Sequence, residues 1–251
     1  MGRWVDEHGR KDNFEEARLY RRAIALDPNY ALAYALLART LWIIASYQFT
    51  EPSEADLAEY VSLARTAVQH GQADPETLCI AAHIIALPGG AVTEGIAIVD
   101  RALALNPSSA DALAISGMLR AYAGDTRTAF RHLEEADRLS PLGVRIPFKN
   151  WGFLVACFVD RNYEGVLDWT AQSLREFPSN VAALRYRVAA LALLGRRGEA
   201  RQAVDRLLAL NPGVTIARCR RHVEFEMKNP FGRPGVAEAY YEGLRLAGLP
   251  E

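Results

Sequence analysis

The feature that most constrains the fold of this 251-residue chain is a proline that ends helical segments at a fixed interval. The stretches RALALNP, which ends at Pro107, and DRLLALNP, which ends at Pro212, place apolar helical residues before a polar residue and proline. Proline cannot continue a helix, and it disfavours the helical conformation of the residue before it. Pro107 and Pro141 are 34 residues apart, as are Pro178 and Pro212. This period predicts repeated helical hairpins that bury their apolar faces against one another.

Small residues recur inside the period. In residues 110–143, Gly117, Ala129 and Ala136 stand where two helices must approach closely, and Gly124 stands at the turn between them, where a residue without a Cβ tolerates a left-handed conformation. This pattern resembles the tetratricopeptide consensus. The resemblance implies an all-α, right-handed α-solenoid of helical hairpins with a C-terminal capping helix pair.

The repeat period and its exceptions divide the chain into three parts. We expect an N-terminal segment, a series of tetratricopeptide-type repeats and a C-terminal helical cap, because terminal repeats that meet water depart from the consensus. Ser53 and Asp56 predict a capping-box start for the second helix of the first complete hairpin. The expected bounds are 1–12 for the N-terminal segment; 13–30 (partial), 31–75, 76–109, 110–143, 147–180 and 181–213 for the repeats; and 214–251 for the cap.

Composition bears on the location and the partners. The chain has 29 basic and 30 acidic side chains, so its net charge of -1 gives no general attraction to nucleic acid or to an anionic membrane. Cys79, Cys157 and Cys219 are far apart, which argues against a disulfide framework and fits a reducing, cytoplasmic setting. We expect no signal peptide and no membrane span.

Catalytic and cofactor-binding motifs are missing from the sequence. It contains no P-loop, no HExxH and no GxSxG, and the only close pair of metal-ligating type is Cys219 with His222. We therefore expect no enzyme activity, no metal and no cofactor. The cluster Arg218, Arg220, Arg221, His222 and Lys228 in the cap is interpreted as a solvated face, with an acidic or phosphate-bearing partner as the alternative.

The concave surface of such a solenoid is the expected site for a protein or peptide partner. It would be lined by the first helix of each hairpin, where large aromatic and adaptable side chains are typical of binding hot spots. The alternative is that several of these side chains, Trp151 and Phe158 in particular, belong to the core between repeats. The candidate residues are Arg39, Met118, Tyr122, Trp151, Phe158, Arg185 and Tyr186.

Three further stretches carry a closer resemblance: GRWVDEHGRKDNFEEARLYRRAIALDP at the start, ALNPSSADALAISGMLRAYAGD in the middle and AYYEGLRLAGLPE at the end. Together they resemble the C-terminal repeat region of bacterial, rhizobial-type class III adenylate/guanylate cyclases. The resemblance implies a signalling role, with the catalytic domain upstream of the repeats and none of its residues in this chain. The alternatives are that the chain is part of a class III adenylate/guanylate cyclase, or that it is the repeat half of a winged-helix transcription regulator.

Overall fold

The computed structural model describes residues 7–47, 53–140, 147–226 and 231–251, and within these ranges it contains thirteen α-helices and no strand. None of the described helices is long and apolar enough to cross a membrane. Residues 1–6 of the predicted N-terminal segment lie outside the described ranges. The helices are α1 (Glu7–Leu26), α2 (Ala31–Tyr47), α3 (Glu54–His70), α4 (Pro75–Ala86), α5 (Val92–Leu105), α6 (Ala110–Tyr122), α7 (Thr126–Leu139), α8 (Pro147–Val159), α9 (Tyr163–Glu176), α10 (Val181–Leu193), α11 (Arg197–Leu210), α12 (Ile216–Glu226) and α13 (Val236–Leu246).

Local signals in the sequence set the helix ends. The predicted capping box is confirmed: the Ser53 hydroxyl accepts from the Asp56 backbone N–H, and the Asp56 carboxylate accepts from the Ser53 N–H at 2.8 Å. The turns between paired helices place Gly124 and Gly195 at φ +84° and +75°. Arg161 takes the equivalent position between α8 and α9 at φ +58°, a conformation that costs an ordinary residue more than it costs glycine.

The helices pack as hairpins, α2 with α3, α4 with α5, α6 with α7, α8 with α9 and α10 with α11. Small residues allow this approach. A Cβ added to Gly117 on α6 would lie 2.6 Å from Cγ of Leu133 on α7, and one added to Gly95 on α5 would lie 2.5 Å from Cβ of Ala86 on α4. Any larger residue at these positions would push the paired helices apart.

The first helices of successive hairpins form the inner side of the array. Helix α2 packs on α4, α4 on α6 and α6 on α8, whereas α10 packs on α9, α11 and α13 and not extensively on α8. The second helices α3, α5, α7, α9 and α11 do not pack extensively on one another in the described ranges. Neighbours on the inside of a curve lie closer together than those on the outside, so the first helices α2, α4, α6 and α8 line the concave face. The predicted all-α solenoid is confirmed.

The two predicted C-terminal helices are present, and α13 leaves the regular order of the array. It lies against the first helix α10, and its contacts with the preceding helix α12 are few. A Cβ added to Gly243 on α13 would lie 2.7 Å from the carbonyl oxygen of Ala189 on α10. The chain therefore returns at its C-terminal end onto the first helix of the preceding hairpin.

Candidate functional site

All seven sequence-predicted site residues lie on first helices of the solenoid. Six of them fall on the first helices of three successive hairpins, α6, α8 and α10, and the seventh is on α2, apart from the others. The assignment is Arg39 on α2, Met118 and Tyr122 on α6, Trp151 and Phe158 on α8, and Arg185 and Tyr186 on α10.

Four of these side chains are buried: Met118 is 1%, Tyr122 2%, Phe158 1% and Tyr186 5% exposed. The structure places them in the core between repeats, because their large apolar surfaces pack on one another and are excluded from water. They cannot touch a partner directly in this conformation, contrary to the expectation that they line an open groove. Trp151, Arg39 and Arg185 are half-buried.

The buried aromatic residues form one cluster between α6, α8 and α10. The indole Nε1–H of Trp151 donates to the phenol oxygen of Tyr122 at 2.8 Å. The Tyr186 ring lies 5.3 Å from the rings of both Trp151 and Phe158, with its plane nearly perpendicular to each. Edge-to-face packing of this kind is favoured by the ring quadrupoles. Burial raises the pKa of the Tyr186 phenol well above its usual range, so it stays neutral.

Two residues from the end of the chain complete the cluster. The Tyr240 ring on α13 lies 5.1 Å from Tyr186 and 5.8 Å from Phe158. The Phe231 ring lies 6.1 Å from both Tyr122 and Phe158. The C-terminal segment, defined as residues 231–251, thus packs on the inner helices α6, α8 and α10 through Phe231 and Tyr240.

The start of the C-terminal segment is held by polar contacts to two hairpin turns. The Gly232 N–H donates to the carbonyl oxygen of Tyr122 at 2.6 Å. The Arg233 guanidinium donates to the Gly124 carbonyl at 2.9 Å, to the Thr126 hydroxyl at 2.8 Å and to the Asp160 carboxylate at 2.6 Å. Gly124 and Thr126 lie at the turn between α6 and α7, and Asp160 follows α8. These three acceptors are called the turn clamp.

Separate contacts hold the rest of the segment. Gly243 allows α13 to approach Ala189 on α10. The Pro250 carbonyl accepts from the Ile216 N–H at the start of α12, at 2.7 Å. Within the predicted basic cluster, Arg220 stacks on Tyr241 at 4.7 Å from the ring centre. Arg221 is exposed and Arg218 is half-buried, whereas the side chains of His222 and Lys228 lie outside the described part of the chain.

Arg39 has a different environment. Two residues on α4, Cys79 and His83, are buried near it. Burial raises the pKa of the Cys79 thiol to about 12. Burial, reinforced by the Arg39 charge, lowers the pKa of His83 to about 4. A neutral thiol and a neutral imidazole of this kind do not form an activated nucleophile.

A serine–histidine pair elsewhere has a structural role. His132 Nδ1 lies 3.0 Å from the Ser116 hydroxyl, which also accepts from Arg120 at 2.5 Å, and Arg120 pairs with Asp100 at 2.9 Å. Ser116 is fully buried, so its hydroxyl cannot reach a substrate. The network ties α5, α6 and α7 together. Among the described residues, no group of three or more histidine, cysteine or acidic side chains is arranged to hold a metal ion.

Sequence reasoning missed Phe231, Arg233 and Tyr240 as part of this site. The stretch PFGRPG predicts only a break between helices. Its contacts with residues far away in the sequence occur once, so they leave no periodic signal. The only hint was the aromatic pair Tyr240-Tyr241 in a short terminal helix, which has more apolar surface than an exposed cap needs.

Comparison with known proteins shows the fold. No protein-family model and no curated protein matches the sequence. A tetratricopeptide repeat protein from Parabacteroides merdae ATCC 43184 superposes with a TM-score of 0.52 at 15% identity, over 94% of this chain and 93% of that one. A MamA RS-1 double mutant superposes with a TM-score of 0.50 at 16% identity, over 71% of this chain and 95% of that one. YrrB, described as a TPR protein with an unusual peptide-binding site, gives a TM-score of 0.46 at 15% identity, over 78% and 94%. The first two matches show that the chain has the fold of a tetratricopeptide-type α-solenoid.

Proposed function

We propose that this protein is a non-catalytic interaction module whose concave face holds a polypeptide partner. The observation that carries the proposal is that this face already holds a polypeptide, the C-terminal segment. The contacts are those by which proteins recognise peptides: a backbone hydrogen bond from Gly232, an aromatic ring from Phe231 and a charged clamp on Arg233. A solenoid presents such a surface along its whole length.

Parts of this surface stay half-exposed, on α2 away from the C-terminal segment and on α8 and α10 beside it. In the proposal, the half-buried side chains Arg39, Trp151 and Arg185 contact the partner, and the buried cluster sets the spacing of the helices that carry them. Trp42 on α2 is also half-buried, so this helix offers an aromatic group near Arg39 along the chain. Aromatic and arginine side chains of this kind dominate binding energy at interfaces.

Further parts of the proposal rest on the sequence. We propose the repeat division given above, with repeats over 13–213 and a cap over 214–251. Its support is that helix pairs begin close to the expected bounds at residues 31, 76, 110, 147 and 181. A cytoplasmic protein partner, with neither nucleic acid nor membrane bound, accords with the balanced charge and the unpaired cysteines.

A signalling role is the more specific proposal. Its support is the likeness of the opening, central and closing stretches to the repeat region of class III adenylate/guanylate cyclases. On this proposal the chain itself does not make a cyclic nucleotide. Purified protein incubated with ATP or GTP and Mn²⁺ or Mg²⁺ should give no cyclic product, and sustained product formation would overturn the non-catalytic assignment.

The interaction itself is tested by affinity capture from the native cell, followed by cross-linking of the purified complex and mass spectrometry. Cross-links should fall on the first helices. Arg39→Ala and Arg185→Ala should weaken binding of the captured partner, whereas Arg175→Ala, an exposed arginine on the second helix α9, should not. Equal binding by all three variants, with circular dichroism unchanged, would refute the assignment to the concave face.

A further inference from the structure

We infer that the turn clamp and the space between the Tyr122 and Phe158 rings, called here the aromatic socket, together form a peptide-recognition site. The ligand it accepts from another chain is a segment with an aromatic residue two positions before an arginine. The inference rests on the proposed function and adds the chemistry of a partner. Phe231 and Arg233 of the C-terminal segment occupy this site now, and they show what fits it.

The chemistry of the clamp selects arginine. Its three groups, the Gly124 carbonyl, the Thr126 hydroxyl and the Asp160 carboxylate, present oxygens that accept from three different nitrogens of one guanidinium. Thr126 donates its own proton to Asp160 at 2.8 Å, which leaves its oxygen oriented as an acceptor. A planar fork of donors satisfies three acceptors at once, whereas a lysine ammonium does not match this spread.

The socket beside the clamp selects an aromatic ring. The Phe231 side chain is 6% exposed and lies between Tyr122 and Phe158, each 6.1 Å away. The residue between the two anchors must be small, because a Cβ on Gly232 would lie 2.1 Å from the carbonyl oxygen of Ala123. The recognised pattern is therefore aromatic, glycine, arginine.

Release of residues 231–235 from the site would expose the buried Phe231 ring but would break no helix. Residues 232–235 are exposed and have no regular secondary structure. The helix that follows is held independently, by Tyr240 in the aromatic cluster, by Gly243 against Ala189 and by the Pro250 hydrogen bond. Local opening of a short irregular stretch requires far less free energy than global unfolding. Because the internal occupant is tethered, it competes with an external segment at a high effective concentration.

The probe is a fluorescent synthetic peptide with the sequence of residues 229–235, NPFGRPG. It is titrated by anisotropy into the full-length wild type and into the full-length variant Phe231→Ala/Arg233→Ala, whose own occupant lacks both anchors. We expect the peptide to bind the variant at least about 10-fold more tightly than the wild type, because the internal competitor is weakened. The single variant Arg233→Ala, which loses only a partly exposed side chain, serves if the double variant fails to fold by circular dichroism.

Two matched controls identify the site. Asp160→Asn, added to the variant, should weaken peptide binding by about 10-fold or more, as expected for a charged hydrogen-bonded pair. Asp168→Asn, at an exposed acid on α9, should not. The peptide NPFGAPG should also bind about 10-fold more weakly. Absence of saturable binding to the folded variant, or equal binding with and without Asp160→Asn, would overturn the inference. The capture experiment above would be unaffected by either result, so the two proposals fail separately.

Discussion

The substitution Gly243→Ala should lower the free energy of unfolding if α13 lies against α10, and should raise it if α13 does not. In an isolated helix, alanine is more stable than glycine by about 1 kcal/mol. In the structure, however, the new methyl group would lie 2.7 Å from the carbonyl oxygen of Ala189, 2.9 Å from its Cα and 3.0 Å from its Cβ. These three atoms cannot rotate away, so α13 must shift.

The expected magnitude follows from these two effects. Overpacking of a close contact costs about 1–3 kcal/mol, and the upper part of that range applies where the obstacle is backbone. After the gain in helix propensity is subtracted, we expect Gly243→Ala to lower the free energy of unfolding by about 1–2 kcal/mol. Gly198→Ala is the control, because Gly198 is also in a helix and a Cβ there meets nothing within 4 Å.

Urea unfolding followed by circular dichroism gives the stability, and thiol labelling with peptide-level mass spectrometry locates the change. Cys219 on α12 is buried, 3.9 Å from a guanidinium nitrogen of Arg185 on α10 and near Tyr240 on α13. It should react faster in Gly243→Ala than in the wild type, whereas Cys79 on α4 should be unchanged. If Gly243→Ala stabilised the protein as Gly198→Ala does, with Cys219 still protected, α13 would not lie against α10 as described.

Two other predictions concern buried polar groups. Tyr122→Phe removes the acceptor of the Trp151 indole N–H, so we expect the free energy of unfolding to fall by about 1–2 kcal/mol and the tryptophan emission to change. Tyr30→Phe, at an exposed tyrosine, is the control. Equal stability of the two variants would contradict this prediction. His83 has a pKa of about 4 in the folded protein against 6.5 as its ordinary value, so between these values the unfolded chain binds a proton that the folded chain does not. Stability should therefore fall on acidification by about 1.4 kcal/mol per pH unit below pH 6.5, levelling off near pH 4. His83→Gln should lose less stability than the wild type between pH 7 and 5, measured by urea unfolding, and parallel pH profiles would show that His83 does not titrate as described.

Much of the fold could be predicted because its determinants are local and repeated. The 34-residue spacing of Pro107 and Pro141 fixed where hairpins end, and Gly124 and Gly195 marked turns that the structure confirms at positive φ. The Ser53 capping box was equally readable, since all of its partners lie within four residues. Each of these signals depends on the backbone geometry of a short segment.

The site was predicted only in part, because a large aromatic residue on a first helix can either line the groove or pack in the core between repeats. Tyr122, Phe158 and Tyr186 have the size and the position of groove residues, and the same properties suit a core. Whether they are exposed depends on what packs over them, which is the C-terminal segment some 70 to 110 residues along the chain from α8 and α6. Arg233 and Asp160 carry no sequence pattern that pairs them, so their contact could be found only in three dimensions.

The central claim is that the chain's own C-terminal segment fills the concave face over α6 and α8. Nuclear Overhauser effects between phenylalanine and tyrosine ring protons, in protein labelled selectively on these residues, test it most directly, with Phe231→Leu identifying the Phe231 signals. We predict cross-peaks between Phe231 and Tyr122, whose ring centres are 6.1 Å apart, and ring-current shifts on Phe231. Phe231 signals at random-coil positions with no cross-peak to Tyr122 would contradict the account.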